Sequence, residues 1–332
     1  MILKRFLALI LVSAAAAAQT PNTVIGSSYT LPTVINAAPG QILNLIVAGV
    51  GASLTGRVTA SSLPLPNTLA NLSVQLTQVE APTSVAAPIL AVRPVSTCPT
   101  GFTLGSAACG QYTVVTIQMP YELSLLCLPP QECPTVSPLP PQLVVSENGI
   151  PGGAVQLNPL RDQIHMATNC DLNTPAIPLC TSAPMVTHAN GTLVTSASPA
   201  QIGEEIVIYA LGLGSTNPQA QTGHAAPSPA APVTSLAGVE FDYAVNATPS
   251  NGIPAPFATC AYGVTCPEPP AFAGLTSGFV GLYQVNVVVP PAQSVFPCGA
   301  GVVSNLTISV IGQNSFDGAG ICVAPPTAVS QN

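Results

Sequence analysis

The sequence has very little charge and no tryptophan. Charged residues make up 5% of the chain, the formal net charge is −7, and only five residues are basic. Two of these lie near the N-terminus and the others are scattered: Lys4, Arg5, Arg57, Arg93 and Arg161. Nucleic-acid binding takes most of its affinity from Lys and Arg. A P-loop requires a lysine after a glycine-rich loop, and the one lysine of the sequence, Lys4, follows no such loop. The composition therefore predicts no nucleic-acid partner, no nucleotide partner and no cofactor.

The sequence also has no apolar run of the roughly 20 residues that a membrane-spanning helix needs. Its first residues, MILKRFLALILVSAAAAAQT, have a basic start, a short apolar run and a series of alanines, the order found in a secretory signal. We predict a signal peptide at residues 1–18 and no transmembrane segment in the mature chain. The mature protein is expected to be secreted, either extracellular or at the cell surface, with the periplasm as an alternative.

Cysteine is abundant, by contrast. Ten cysteines in a chain expected to be exported predict disulfide bonds rather than a metal site. None of the cysteines has CxxC spacing and the histidines lie far from them along the chain, so a zinc site is not expected. We expect each cysteine to bond its neighbour in sequence. The expected pairs are Cys98 with Cys109, Cys127 with Cys133, Cys170 with Cys180, Cys260 with Cys266, and Cys298 with Cys322.

Two segments of the chain resemble each other. GQYTVVTIQMP, which ends at Pro120, and GLYQVNVVVP, which ends at Pro290, both have a Gly, a Tyr two residues later, and an alternating run that a Pro ends. Alternation with a period of two predicts a β-strand with one buried face. When the prolines are aligned, the buried positions match in order: Val115, Ile117 and Met119 with Val285, Val287 and Val289.

A second match precedes the first. PGQILNLIVAGVG, from residue 39, resembles IGEEIVIYALGLG, from residue 202. Gly49 and Gly51 match Gly212 and Gly214 at one constant offset, and they predict tight turns at the ends of strands. A GxGxxG nucleotide loop is excluded because the third Gly is absent from both segments. The ordered matches predict a duplicated domain.

The chain is predicted to be all-β, with two tandem immunoglobulin-like β-sandwich domains. It has 27 Gly and 37 Pro, short strand-like runs and no helical periodicity, which is typical of sandwiches. The predicted divisions after the signal are an N-terminal segment at 19–29, a first sandwich at 30–160, a connector with a small disulfide loop at 161–184, a second sandwich at 185–326, and a tail at 327–332.

Two local features are expected near the join between the domains. The connector is expected to contribute a strand around residues 164–167. In VTHANGTLVT, Asn190 and Gly191 predict a hairpin with a type I′ turn, because this pair readily adopts two consecutive positive φ angles.

The second repeat resembles the extracellular C-terminal domain found in secreted proteins of Acidobacteria, the Solibacter-type domain. The matching segments are IVIYALGLGSTNP, GHAAPSP, NGIPAPFA and GFVGLYQVNVVVP. The first repeat is similar to the domain that usually precedes it, through PLPNTLANLSVQL, AAPILAV and TIQMPYEL. The resemblance implies a fold similar to the TIG/IPT immunoglobulin-like sandwich and an extracellular setting. It implies no activity and no catalytic residues.

The sequence offers few candidates for chemistry. Asp162 and His165 are three residues apart, but no nucleophilic serine is identified with them. Glu204 and Glu205 are adjacent on an expected strand and therefore point to opposite faces. Glu240 and Asp242 are two residues apart on the same side of an expected strand, but they supply only two of the six to eight oxygen ligands that calcium takes. No catalytic residue and no metal ligand is predicted.

The function expected from these features is that of a secreted, non-enzymatic structural, adhesion or interaction protein of the cell surface. Its expected partner is an extracellular protein or an envelope component. A carbohydrate-binding module is the alternative, although the missing tryptophan removes the aromatic ring most often stacked on sugars. A hydrolase with a site assembled from loops is the weaker alternative.

Overall fold

The computed structural model describes residues 23–27, 34–79, 82–97, 110–125, 139–168, 171, 183–235, 237–241, 269–290, 306–310 and 316–324. These residues form strands and turns, so the predicted all-β class is confirmed. In this part of the chain, no helix has the length and hydropathy needed to cross a membrane.

Residues up to Pro159 form two sheets, which we call the N-terminal sheet pair. Their strands are β1 (Thr23–Ser27), β2 (Val34–Ala37), β3 (Ile42–Ala48), β4 (Val58–Thr59), β5 (Thr68–Leu69), β6 (Leu72–Thr77), β7 (Ser84–Ala86), β8 (Ile89–Thr97), β9 (Gly110–Gln118), β10 (Gln142–Glu147) and β11 (Ile150–Pro159). One sheet has the order β1-β3-β9-β8-β4, and the other has the order β2-β11-β10-β6-β5 with β7 paired to β6. Neighbouring strands are antiparallel except for β2 and β11.

The remaining strands form the C-terminal sheet pair. They are β12 (His165–Met166), β13 (Val186–His188), β14 (Glu205–Leu211), β15 (Ala237–Glu240), β16 (Phe272–Leu275), β17 (Tyr283–Val288), β18 (Leu306–Val310) and β19 (Phe316–Ala319). One sheet has the order β12-β14-β17-β16, with β13 also paired to β14, and the other has the order β15-β18-β19. The strand expected in the connector is present as β12.

A separate hydrophobic core lies within each sheet pair. Alternate residues of each strand point to one face, and these are the buried residues of β3, β14 and β17, whereas in β9 Thr113, Val114 and Gln118 are buried as well. The positions matched between the two repeats have no exposed surface: Val115, Ile117, Met119, Val285, Val287 and Val289. The alternation read from the sequence therefore identified one wall of each core.

The same backbone hydrogen bonds occur at the start of β3 and of β14. Gly40 N donates to Met119 O at 3.0 Å, and Gly203 N donates to Val289 O at 2.8 Å. Both glycines have positive φ, +72° and +83°. At the other end of these strands the four expected turn glycines also have positive φ: Gly49 (76°), Gly51 (72°), Gly212 (73°) and Gly214 (86°).

The hairpin expected at Asn190 and Gly191 is present, but the type I′ turn is wrong. Only Gly191 has a positive φ, +85°. Gly191 N donates to His188 O at 2.9 Å, as in a three-residue hairpin loop whose last residue is left-handed. The two-residue turn with both φ positive lies instead at Asn148 (52°) and Gly149 (78°), between β10 and β11. Its Asn-Gly pair was an equally good sequence signal.

A loop of the C-terminal sheet pair contacts the N-terminal sheet pair. Gly223 N donates to the buried Gln118 Oε1 at 2.6 Å, and Leu65 N donates to Gly223 O at 2.7 Å. Tyr121 N, just after β9, donates to Thr222 Oγ1 at 3.0 Å. These bonds join residues more than a hundred positions apart, and those of Gln118 and Tyr121 hold the loop against the end of β9.

The side chain of Tyr121 also contacts the C-terminal half. This side chain is 4% exposed and packs in the C-terminal core although Tyr121 follows a strand of the N-terminal pair. Burial raises its pKa to about 12 against the opposing effect of a hydrogen bond with Tyr283. The ring fills the space beside Gly40, where any Cβ would overlap it. One aromatic side chain thus connects the two cores.

Candidate functional site

An open pocket of about 380 Å³ lies beside the β13 hairpin and the turn that precedes β14. Its lining includes six polar or charged side chains, from His188, Asn190, Thr192, Ser198, Glu204 and Glu205. Three of these residues are in hydrogen-bond contact with one another, so the pocket is the candidate site.

The contact is a chain from a serine through a histidine to a carboxylate. Ser198 Oγ lies 3.1 Å from His188 Nε2, and His188 Nδ1 lies 2.7 Å from Glu204 Oε1. His188 Nε2 is also 3.2 Å from the carbonyl oxygen of Ser198. The side chains of His188 and Glu204 are 15% and 24% exposed, whereas Ser198 is open to solvent.

The chemistry of the groups fixes where the protons lie. An ionised carboxylate only accepts hydrogen bonds, so Nδ1 of His188 carries a proton and donates to Glu204. In the neutral imidazole, Nε2 is then an acceptor and takes the hydrogen bond of the Ser198 hydroxyl. In the imidazolium, Nε2 carries a proton and donates a hydrogen bond to the carbonyl oxygen of Ser198. The neutral form has the proton arrangement of a serine–histidine–acid triad.

Strand pairing and one turn position the histidine. His188 is paired with Ile206 across β13 and β14, and its backbone N–H donates to Thr192 O at 2.9 Å. The hairpin loop that follows His188 then reverses the direction of the chain.

Two further turns position the serine and the glutamate. Ser198 N donates to Thr195 O at 3.1 Å, and Thr195 N donates back to Ser198 O at 2.9 Å. Glu204 N donates to Gln201 O at 3.2 Å, and Glu204 O accepts from Val289 N at 2.9 Å. The backbones of His188, Ser198 and Glu204 are therefore held by hydrogen bonds that are independent of their side-chain contacts.

This arrangement was missed in the sequence. Glu204 and Glu205 were considered as a pair, and they do diverge: Glu204 contacts His188, while Glu205 accepts from Asn286 Nδ2 at 3.2 Å. His188 carries no motif, and the GxSxG pattern that marks many nucleophilic serines is absent around Ser198. The only signal was that a His, a Ser and a Glu all lie within residues 188–204.

A second histidine lies between two aspartates. His165 Nε2 is 2.9 Å from Asp171 Oδ2, and His165 Nδ1 is 3.0 Å from Asp317 Oδ2. The same two oxygens accept backbone N–H groups, from Thr168 and Met166 respectively, at 2.8 Å. Both ring nitrogens are engaged by carboxylates, so His165 has no nitrogen left to take a proton from a serine.

This second cluster connects the two sheets of the C-terminal pair, because His165 lies on β12 and Asp317 on β19. Burial lowers the pKa of His165, but the hydrogen bonds and charges of Asp171 and Asp317 outweigh it and raise the pKa to about 9. The imidazolium is therefore the resident form at neutral pH, and it neutralises part of the charge of two carboxylates that would otherwise repel each other.

A pH-dependent stability is expected from this cluster. The folded pKa of about 9 exceeds the ordinary value of about 6.5, so the stabilisation is complete below pH 6.5 and is lost as the pH rises through 9. We expect the free energy of unfolding, measured with urea, to fall by about 2–3 kcal/mol between pH 6.5 and 9.5. His165→Gln should remove most of this fall, and the exposed His224→Gln should keep it. An equal fall in wild type and His165→Gln would contradict the assignment.

Other residues singled out in the sequence are only partly described. Of the ten cysteines, Cys322 alone lies among the described residues, where it is half-buried. At least one member of every expected disulfide therefore lies outside them, and the five pairs stay predictions. Asp242 is also outside, and the side chain of Glu240 is not described. In the described ranges, no group of three or more His, Cys, Asp or Glu residues has a metal-binding arrangement.

Neither a protein-family model nor a curated protein matches this sequence. The chemistry of the site rests on its own geometry.

Proposed function

We propose that the chain is an exported protein that acts at the cell surface, in a structural or adhesive role, by binding an extracellular protein or an envelope component. We propose further that it consists of two tandem immunoglobulin-like sandwiches of the TIG/IPT type, at 30–160 and 185–326, related by duplication. The observation that carries the proposal of two duplicated sandwiches is the equivalence of the two sheet pairs in strand order and in backbone hydrogen bonding.

Strand order supports the duplication. The neighbours β3-β9-β8 correspond to β14-β17-β16, and β6-β10-β11 correspond to β15-β18-β19. A parallel contact also recurs just before the first strand of each set: Ala37 pairs with Pro159, and Ala200 pairs with Val323. Parallel pairing is the exception in sheets of this kind, so its recurrence at matching places favours a common origin.

The contact between the halves supports a binding role. Thr222 and Gly223 contact the end of β9, and Tyr121 packs into the other core. These contacts hold the two halves in one relative orientation, so loops from both can present a single ordered surface. An ordered surface binds with a smaller loss of conformational entropy, and sandwich loops are the segments that most often bind partners.

Carbohydrate binding is a second candidate, favoured by one face of the β14–β17–β16 sheet. A Cβ at Gly274 would lie 2.6 Å from Phe272 Cζ, so the Phe272 ring lies over the Gly274 backbone. Beside it, Gln284 Nε2 donates to Asn286 Oδ1 at 3.0 Å, and Asn286 Nδ2 donates to Glu205 Oε1 at 3.2 Å. A half-exposed aromatic ring beside amide and carboxylate groups suits a sugar, which offers both C–H faces and hydroxyls.

A single binding experiment separates these candidates. The fluorescently tagged mature chain is titrated onto the envelope fraction of the source cell, and retention is measured by sedimentation. We expect saturable retention, and its loss when the envelope is treated with protease would identify a protein partner. Retention that survives protease but is lost after periodate oxidation of vicinal diols, and that falls in Phe272→Ala, would establish the carbohydrate candidate instead. Retention that does not saturate on untreated envelope would contradict both.

A further inference from the structure

We propose that Ser198, His188 and Glu204 form a site that hydrolyses short-chain carboxylic esters. This activity goes beyond the proposed binding function and departs from the expectation that the chain is not an enzyme. It rests on the two contacts at 3.1 Å and 2.7 Å that align serine, histidine and carboxylate, and on the open pocket of about 380 Å³ that these side chains line.

The reaction follows from the protons already placed. Ser198 Oγ attacks the ester carbonyl carbon as its proton passes to His188 Nε2. The tetrahedral intermediate collapses, the bond to the alcohol oxygen breaks, and His188 gives its proton to the departing alcohol. Water then attacks the acyl carbon, losing a proton to Nε2. The bond from the acyl carbon to Ser198 Oγ breaks, His188 returns its proton to Oγ, and the carboxylic acid leaves. Ester and water are consumed, alcohol and acid are formed, and no oxidant or other co-reactant is needed.

Glu204 is a positioning residue in this scheme. It holds the proton on Nδ1 and thereby keeps Nε2 available as an acceptor, and its charge stabilises the imidazolium that forms in each step. The carbonyl oxygen of Ser198, 3.2 Å from Nε2, competes only when Nε2 carries a proton. The site is therefore active in the neutral form of His188 and inactive in the protonated form.

The lining selects the class of ester. Glu204 places a carboxylate at the pocket, and Glu205, whose carboxylate accepts from Asn286, is a second lining residue. Their negative charge disfavours anionic substrates and tolerates neutral or cationic ones. Leu193, which follows the lining residue Thr192, is an aliphatic side chain that is 52% exposed. A small apolar acyl group on a neutral, polar alcohol matches this combination.

The test uses the mature full-length chain and p-nitrophenyl acetate. Ser198→Ala is expected to lower kcat/KM by at least about 100-fold, because it removes the nucleophile. The matched control is Ser196→Ala, because Ser196 lies on the same exposed bend and contacts neither His188 nor Glu204 in the contacts described above. It should retain wild-type activity within about two-fold, a change of less than half a kcal/mol.

Two further measurements separate catalysis from a structural role. A fluorophosphonate should label wild type and Ser196→Ala, with the adduct mapped to Ser198, and should leave Ser198→Ala unlabelled. Glu204→Gln should lower kcat with little change in KM and should alter the pH profile, whereas a merely misfolded variant would lose both together. A p-nitrophenyl succinate half-ester should be a poorer substrate than the acetate.

The proposal is overturned by any of three results. These are a wild type no faster than the buffer blank, wild-type activity in Ser198→Ala, and an adduct that maps to another residue. Circular dichroism of each variant shows whether the fold is kept, and Ser198 is exposed enough that its replacement by Ala should preserve it.

Discussion

Gly214→Ala is expected to destabilise the C-terminal sheet pair by about 2–5 kcal/mol, the sum of a left-handed alanine and a clash in a packed site. Gly214 has φ +86°, and a Cβ there would overlap the backbone carbonyl oxygen of Arg161. Backbone cannot rotate away as a flexible side chain can, so the connector would have to move. The carbonyl of Gly214 also accepts the buried hydroxyl of Tyr283, and that bond would move with it. Urea unfolding followed by tyrosine fluorescence measures the loss.

Gly203→Ala is the matched control. Gly203 has almost the same φ, +83°, but nothing lies within 4 Å of a Cβ built on it. Its replacement should cost only the left-handed conformation, about 1–2 kcal/mol. The difference between the two variants isolates the close approach of Arg161. Equal losses for Gly203→Ala and Gly214→Ala would show that this approach does not hold the connector.

These glycines show how far the sequence can predict the fold. The constant offset between the turn glycines of the two repeats predicted turns at the ends of strands. All four have positive φ: Gly49, Gly51, Gly212 and Gly214. The reason for glycine at Gly212 and Gly214 was not predictable, because the atoms that leave no room for a Cβ are the carbonyl oxygens of Gln163 and Arg161 in the connector. A local pattern reports a turn, whereas a close approach depends on where a distant segment lies.

Strands were predicted better than turns. Burial of alternate residues follows directly from strand geometry, so Val115, Ile117 and Met119 could be assigned to a core from spacing alone. The type of a turn depends on the number of residues between paired positions. Both Asn148-Gly149 and Asn190-Gly191 offered the same dipeptide, but only the first lies in a two-residue loop with both φ positive.

The candidate site was beyond sequence reasoning for a physical reason. His188 lies on a hairpin strand, Ser198 on a bend and Glu204 directly after a turn, and no single period relates them. The turn at Thr195 and the pairing of β13 with β14 bring them together. Each of these features is weak alone, and their combination sets the two side-chain contacts. The aspartates of His165 are similar, since Asp317 comes from the far end of the chain.

Tyr121→Ala is expected to cost about 3–5 kcal/mol, as for other large aromatic side chains removed from a core. The Tyr121 ring is 4% exposed within the C-terminal core, and its hydroxyl hydrogen-bonds the Tyr283 hydroxyl. Removal leaves a cavity between the two halves beside Gly40, which has no side chain to fill it. Tyr121 belongs by sequence to the N-terminal half, but its ring packs in the C-terminal core. The loss of stability should therefore appear in the unfolding of the C-terminal half, and urea unfolding followed by hydrogen exchange of β14 and β17 measures it.

Tyr121→Phe is the control for packing. It keeps the ring and removes only the hydroxyl, and the Tyr283 hydroxyl retains its bond to Gly214 O, so the cost should be about 1 kcal/mol. In wild type the two halves should unfold in one transition, since the Tyr121 ring and the bonds of Thr222 and Gly223 cross between them. In Tyr121→Ala, hydrogen exchange in β14 and β17 should accelerate at a lower urea concentration than hydrogen exchange in β3 and β9. If β14 and β17 exchange as slowly in Tyr121→Ala as in wild type, the two cores are energetically independent, and the single binding surface proposed for them loses its physical basis.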